Sequence, residues 1–245
     1  MIFSRFQKGK ASQSVSAPSV DVHSHLIPGI DDGAKSMEES LSLLRAMQAL
    51  GYEKVITTPH VMADAYRNTR ASIQEGLEAL QVQSAKEGLT IRIEAAAEYY
   101  LDEGLPELIK RGEVLPVGGE YLLFETSYMH RPHDLERVVF EIAASGYKPL
   151  LAHPERYRYI ENFSQEYGRL KELGVFFQLN LNSLEGYYGA SAKRAAEWLC
   201  NEGMVDFLGS DVHHQKHTDA LARVFEERAY ARLWKHNTIL NESLR

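Results

Sequence analysis

From residue 20 onward, short β-branched runs alternate with longer stretches whose apolar residues recur every three or four positions. The alternation repeats seven times without a Gly/Ser linker. Helical segments between successive strands lay those strands parallel, so the pattern predicts one continuous α/β unit. VDVH at 20–23 leads to Met37, Leu41, Leu44, Met47 and Leu50, one buried helical face, with Ser36 as cap and Glu39 completing a capping box. KVITT at 54–58 is the second strand, followed by a helix carrying Ile73, Leu77 and Leu80. TIRIEAAAEYY and YLLFETS supply the third and fourth strands, and a helix with Leu135, Val138 and Ile142 starts near Pro132. Strand KPLLAH, a helix around Phe163, Tyr167 and Leu170, strand VFFQLN, a helix from Ala190 to Leu199 and strand VDFLGSD follow. Helical patterns near 218–228 and 230–239 close the order, and no fixed-period repeat suggests a solenoid.

Polar residues fall at particular places in this pattern. His23 and His25 end the first strand, His60 the second, Glu98 the third, Glu125 the fourth, His153 the fifth, and Asp211 with His213 the seventh. Every predicted strand except the sixth therefore carries a metal-competent side chain at its C-terminal end, the face on which barrels of βα units assemble their sites. Taken singly, such a histidine is more often a hydrogen-bonded core or surface residue, and a lone Glu125 could serve a salt bridge. Together with Asp32, they are nine converging imidazoles and carboxylates, whose mutual repulsion near a dry interior divalent cations relieve. One ion cannot use nine ligands, whereas two or three can. The set lacks thiolate, which suits Mn, Fe or Zn in hydrolysis better than a closed structural zinc site.

Composition narrows the partners. The net charge of −7 offers no basic excess for tracking long nucleic acid. Cys200 is the only cysteine, sits in a helical pattern and belongs to no phosphate-binding loop, so neither a disulfide nor cysteine-based phosphatase chemistry is expected. No run of 18 apolar residues occurs. Residues 1–19, with Phe3 and Phe6 before a Ser-rich tail, are expected to form a flexible leader and not a membrane-surface anchor, and 20–245 a single domain without stable membrane insertion.

The ordered set HSH, an Asp seven residues after the second His, TTPH, AEYY, LFE, AHPER and SDVH resembles the PHP (polymerase and histidinol phosphatase) superfamily. More closely, the chain resembles the bacterial manganese-dependent protein-tyrosine phosphatases of the CpsB and YwqE type. The resemblance spans Val20 to about His236. It implies a distorted TIM-like (β/α)7 barrel of the PHP type, a trinuclear centre, and a cytoplasmic enzyme acting on a tyrosine-phosphorylated protein. That protein is expected to be an envelope-associated tyrosine kinase controlling capsular or exopolysaccharide synthesis. Carried onto this sequence, the family pattern puts His23, His25, Glu98 and Asp211 on one ion. Glu98, Glu125 and His153 fall on a second, and Asp32, His60 and His213 on a third. Arg156 matches the family's substrate-side arginine. One departure stands out: many relatives follow the last His with Asn and then Arg-Pro, whereas this chain reads HHQKHTDAL, leaving His214, Lys216 or His217 for a related role.

The expected reaction is phosphate-monoester hydrolysis by water activated between divalent ions, manganese first, with Fe, Zn or Mg able to take its place. Arg156 would neutralise the nonbridging oxygens. His25 and His213 are close enough to relay protons, although ligation limits that freedom. Tyr99, Tyr100, Tyr128, Met129 and Tyr159 follow the relevant strands as a ring-binding rim, and aromatics there serve equally to cover core edges. Two other readings stay open: a histidinol-phosphate or other small-molecule phosphomonoesterase, and a non-catalytic metal-binding regulator of an export kinase.

Overall fold

The computed structural model describes residues 17–245, so residues 1–16 of the expected leader lie outside the described residues. Ser19 is already tied down, its backbone N–H and hydroxyl both donating to Glu242 at 2.9 and 2.6 Å. The described strands are β1 (Val20–Asp21), β2 (Lys54–Thr57), β3 (His60–Val61), β4 (Arg92–Ala95), β5 (Glu98–Tyr100), β6 (Tyr121–Glu125), β7 (Lys148–Ala152), β8 (Phe176–Asn180) and β9 (Phe207–Gly209). All pair in parallel, in the orders β1-β2-β4 and β3-β5-β6-β7-β8-β9.

These are seven runs, as the alternation predicts, because β2 and β3 belong to one extended stretch and β4 and β5 to another. Pro59, which has no N–H to give a ladder, sits in the first interruption. The curled wall is drawn together between its first and last runs. Asp211 N donates to His23 O at 2.8 Å, His25 N to Val212 O at 2.9 Å, and the Ser210 backbone and hydroxyl to the Asp21 carboxylate at 2.7 Å each. The result is the distorted barrel of the α/β class.

Period two along the strands divides the core. Tyr121, Leu123, Leu150, Ala152 and Phe207 pack inside the barrel, whereas Leu122, Phe124, Leu151, Phe177 and Leu179 meet the surrounding helices. The inner cluster fills the interior below the strand ends and leaves polar side chains above it.

The sequence pattern omits two helices, Leu105–Arg111 and Asn182–Glu185, both too short to develop apolar periodicity. The capping box at Ser36 is half formed. Ser36 Oγ accepts from Glu39 N at 3.3 Å, but the Glu39 carboxylate takes the N–H of Lys35 instead of that of Ser36. Cys200 is buried in its helix. Among the described residues, no helix is long and apolar enough to cross a membrane.

Candidate metal centre

The C-terminal strand ends bring all nine expected donors together around Glu98. His25, Asp32, His60 and His213 form one group; His23, Glu98 and His153, His23, His25 and Asp211, and His60, Glu98 and Glu125 form the others, each with donor atoms within 4.8 Å of one another. His23 Nε2 lies 3.2 Å from both His25 Nε2 and Glu98 Oε2. Asp211 Oδ1 is 3.5 Å from each of those two imidazole nitrogens. His153 Nε2 is 3.0 Å from Glu98 Oε1 and 3.8 Å from Glu125 Oε2. Asp32 Oδ1 is 3.3 Å from His60 Nε2 and 3.5 Å from His213 Nε2.

Hydrogen bonds behind the cluster decide what it can hold. His23 Nδ1 meets Gln178 Oε1 at 2.7 Å, and His25 Nδ1 meets Asp31 Oδ2 at 2.9 Å. Both partners are acceptors, so in the neutral rings the proton sits on Nδ1 and the Nε2 lone pairs face each other across 3.2 Å. Two facing lone pairs with two carboxylate oxygens beside them repel unless a cation lies among them. The donor set therefore fits divalent ions on its own chemistry.

Electrostatics agree. Burial pushes the Glu125 carboxyl up to about 8, with the Glu98 charge adding to the shift. Burial likewise holds His153 down at about 4, leaving a neutral imidazole. Burial also opposes ionisation of Glu98, but with no ion bound the neighbouring carboxylates raise His23 and His60, and the positive charge these rings take up, with the hydrogen bond from His153, keeps Glu98 a carboxylate; a divalent ion would supply the same charge in place of those protons.

Backbone geometry aims two of the donors. His153 and Asp211, with φ of 33° and 51°, are the positive-φ non-glycine residues among those described. Each turns the chain sharply as its strand ends. On the opposite side, Gly33 lets the Asp31–Asp32 loop approach: a Cβ there would stand 2.3 Å from the His25 carbonyl oxygen and 2.5 Å from its Cβ. Gly33→Ala is expected to displace that loop, lowering stability by ~1–3 kcal/mol and reducing retained metal. Thermal unfolding and metal analysis of the purified variant check both effects.

A cavity of about 600 Å³ opens above the centre. Its wall includes Arg156, whose guanidinium donates to Asp211 Oδ2 at 2.9 Å and lies 4.6 and 4.2 Å from the ring centres of Tyr128 and Tyr188. Burial works against the arginine's charge, and Asp211 together with Tyr128, Tyr188 and Glu155 more than offsets it. Tyr100, Tyr128 and Met129 line the cavity as expected positions of a rim. Two expected rim residues do not. Tyr99 points to the helix side, where its hydroxyl accepts from Leu115 N at 2.7 Å, and Tyr159 stacks on Tyr157 and bonds Thr126 Oγ1 at 2.9 Å. Glu98 and Tyr100 share the inner face, so period two puts Tyr99 on the other.

The proton-relay roles of His25 and His213 also meet an obstacle. In each ring one nitrogen faces the cluster and the other is tied, to Asp31 and to the Asp211 carbonyl at 3.0 Å respectively. Of the residues after His213, His214 and His217 line the cavity and Lys216 does not. His217 Nδ1 accepts from His213 N at 3.1 Å, and burial holds its ring neutral with a value of about 4, so it braces the loop without a charge for phosphate. Tyr188 and Tyr66 also line the cavity, with no spacing from a strand end to mark them in the sequence, and so does Met62, which follows β3 two residues past His60.

Residues 19–229 match the family described as capsular polysaccharide synthesis, CpsB/CapC. The chain is 30% identical over 214 residues to the tyrosine-protein phosphatase YwqE of Bacillus subtilis (strain 168), covering 85% of this chain and 84% of that one. It is 29% identical over 204 residues to the tyrosine-protein phosphatase CpsB of Streptococcus pneumoniae, covering 80% and 83%. Among solved structures, it superposes with a TM-score of 0.78 and 27% identity on one described under YwqE from Bacillus subtilis and CpsB from Streptococcus pneumoniae, unique metal-dependent tyrosine phosphatases, over 90% of this chain and 96% of that chain. A histidinol phosphate phosphatase from Lactococcus lactis, complexed with zinc, L-histidinol and phosphate, shares the fold with a TM-score of 0.55 at 12% identity, over 86% and 94%.

Proposed function

The chain belongs to the capsular polysaccharide synthesis CpsB/CapC family, and from that premise we propose that it is a metal-dependent protein-tyrosine phosphatase serving capsular or exopolysaccharide synthesis. The observation that carries this reading is the set of facing lone pairs and carboxylates around Glu98, at the floor of a cavity walled by Arg156. His23, His25, Glu98 and Asp211 would hold one ion, Glu98, Glu125 and His153 a second, and Asp32, His60 and His213 a third. Two or three bound divalent ions would supply Lewis acidity and lower the pKa of water toward neutrality, manganese being the proposed metal and Fe, Zn or Mg fitting the same mixed donors.

The protein's own groups do the rest. Arg156 gives one N–H to Asp211 and keeps the remaining donors of its fork for phosphate oxygens, while Tyr128 and Tyr188 hold its plane. Tyr100, Tyr128 and Tyr66 present ring surfaces to an aromatic phosphoester. His25 and His213 have no free nitrogen for the leaving group, which favours an ester whose alcohol leaves unprotonated. A phenol, with a reference pKa of about 10, leaves far more readily than an alkanol. The proposed physiological substrate is an envelope-associated tyrosine kinase reached from the cytoplasm.

Released phosphate from phosphotyrosine peptides, phosphoserine peptides and histidinol phosphate, compared at equal concentration with Mn²⁺, tests the substrate. The tyrosine esters are expected to lead. A tenfold or greater preference in kcat/KM for histidinol phosphate, ~1.4 kcal/mol in transition-state stabilisation, would overturn the protein substrate and leave the metal hydrolase standing.

A further inference from the structure

The sixth run, β8, carries no metal-competent residue at its end, yet two of its side chains enter the barrel fully buried, Gln178 and Asn180. They stand two residues apart, on one face of the strand. We propose that these two amides form a one-way relay of hydrogen bonds that fixes the ring tautomer of His23 and the rotation of Asp211, and so act as positioning residues for the metal centre.

The direction of the relay follows from a single group. The backbone N–H of His153 can only donate, and it lies 3.3 Å from Gln178 Oε1, so the oxygen of that amide faces it. The same oxygen is 2.7 Å from His23 Nδ1, which must then carry its proton there and turn its Nε2 lone pair toward Glu98 and Asp211. With its oxygen so committed, Gln178 points Nε2 at Asn180 Oδ1, 2.9 Å away. Asn180 in turn points Nδ2 at Asp211 Oδ2, at 2.6 Å. That bond, shared with Arg156 on the same oxygen, leaves Asp211 Oδ1 facing His23 and His25. Each link determines the next, and reversing either amide would set donor against donor or acceptor against acceptor.

Amides do this where carboxylates could not. A carboxylate at 178 would accept from His23 but could not donate onward, and it would add negative charge beside Glu98, Glu125 and Asp211. Space for the relay is kept by Gly209 on the neighbouring strand, where a Cβ would lie 2.5 Å from Gln178 Nε2 and 2.6 Å from the Cβ of His23.

The inference rests on the reading of the cluster as a metal centre, and the test separates the two. The metal-stripped full chain and its variants are titrated with Mn²⁺ against a competing chelator, and the ring nitrogens of His23 are read by ¹⁵N NMR in the stripped proteins at a pH high enough for the ring to be neutral. Gln178→Leu is expected to lose ~10–100-fold in Mn²⁺ affinity and to show a mixture of His23 tautomers. Asn180→Asp, which can still accept from Gln178 but cannot donate to Asp211, is expected to lose affinity with the His23 tautomer unchanged. If Gln178→Leu does not fold, Asn180→Asp decides alone. Wild-type affinity in the folded variants overturns the relay, as does an affinity loss in Gln178→Leu with His23 still in one tautomer, the mark of altered packing. A wild-type chain that binds no divalent ion overturns the metal centre itself.

Discussion

Treatment with a strong chelator is expected to abolish phosphate release and lower the unfolding temperature together, with Mn²⁺ restoring both. The stripped centre leaves imidazoles and carboxylates crowded at 3.2–3.5 Å among buried side chains, so the ions contribute to folding as well as to chemistry. An ion present at about 100 times its Kd stabilises the native state by ~2.7 kcal/mol, which for a chain of this size corresponds to roughly 5–10 °C. The pH dependence has a definite sign. In the stripped protein Glu125 titrates at about 8, so at pH 7 it holds a proton that an incoming ion must displace. Apparent Mn²⁺ affinity should therefore rise as pH passes through about 8, with proton release visible as a buffer-dependent enthalpy in calorimetry. Full turnover in excess chelator, with one bound ion or none, would sink the mechanism.

Replacing Arg156 with Ala is expected to cut kcat by ~10²-fold or more while the metal content holds. Asp211 keeps the Asn180 amide on the same oxygen at 2.6 Å, so losing the guanidinium does not free it to rotate. Arg156→Lys should recover little, because an ammonium neither stacks between Tyr128 and Tyr188 nor presents a fork to phosphate. Steady-state kinetics beside metal analysis separates the outcomes. Loss of metal and fold in both variants would make the residue structural, and unchanged kcat would remove it from the reaction.

Much of this site is visible in the sequence because strand ends are. A histidine or carboxylate closing an apolar run sits where a barrel gathers its polar groups, and six of the seven runs gather eight donors, with Asp32 joining from the loop after the first. What supports those donors is harder to read. Asp31 and Asp32 are neighbours of the same type, yet Asp31 turns inward to His25 Nδ1 while Asp32 faces His60 and His213, a difference set by the loop at Gly33. Gln178 and Asn180 have the spacing of an inner face, but amides in a strand give no chemical signal until their partners are known. Tyr188 follows a short helix and a turn instead of a strand, so only the folded chain brings it onto Arg156. That Tyr99 faces the helices is legible in the sequence, since a residue next to an inward Glu98 faces outward.

The left-handed backbone at His153 and Asp211 bears on how such a protein can evolve or be engineered. A non-glycine residue held in that region costs on the order of 1–3 kcal/mol, and glycine would relieve it. Each exchange also removes a donor from the centre, so the strain it relieves is set against the ~2.7 kcal/mol that a bound ion contributes. A screen for heat resistance run in chelator, where the ions contribute nothing, is drawn toward 153 and 211, and variants gathered that way would be inert. Libraries aimed at a hardier phosphatase should hold both positions fixed and look for stability in the outer helices.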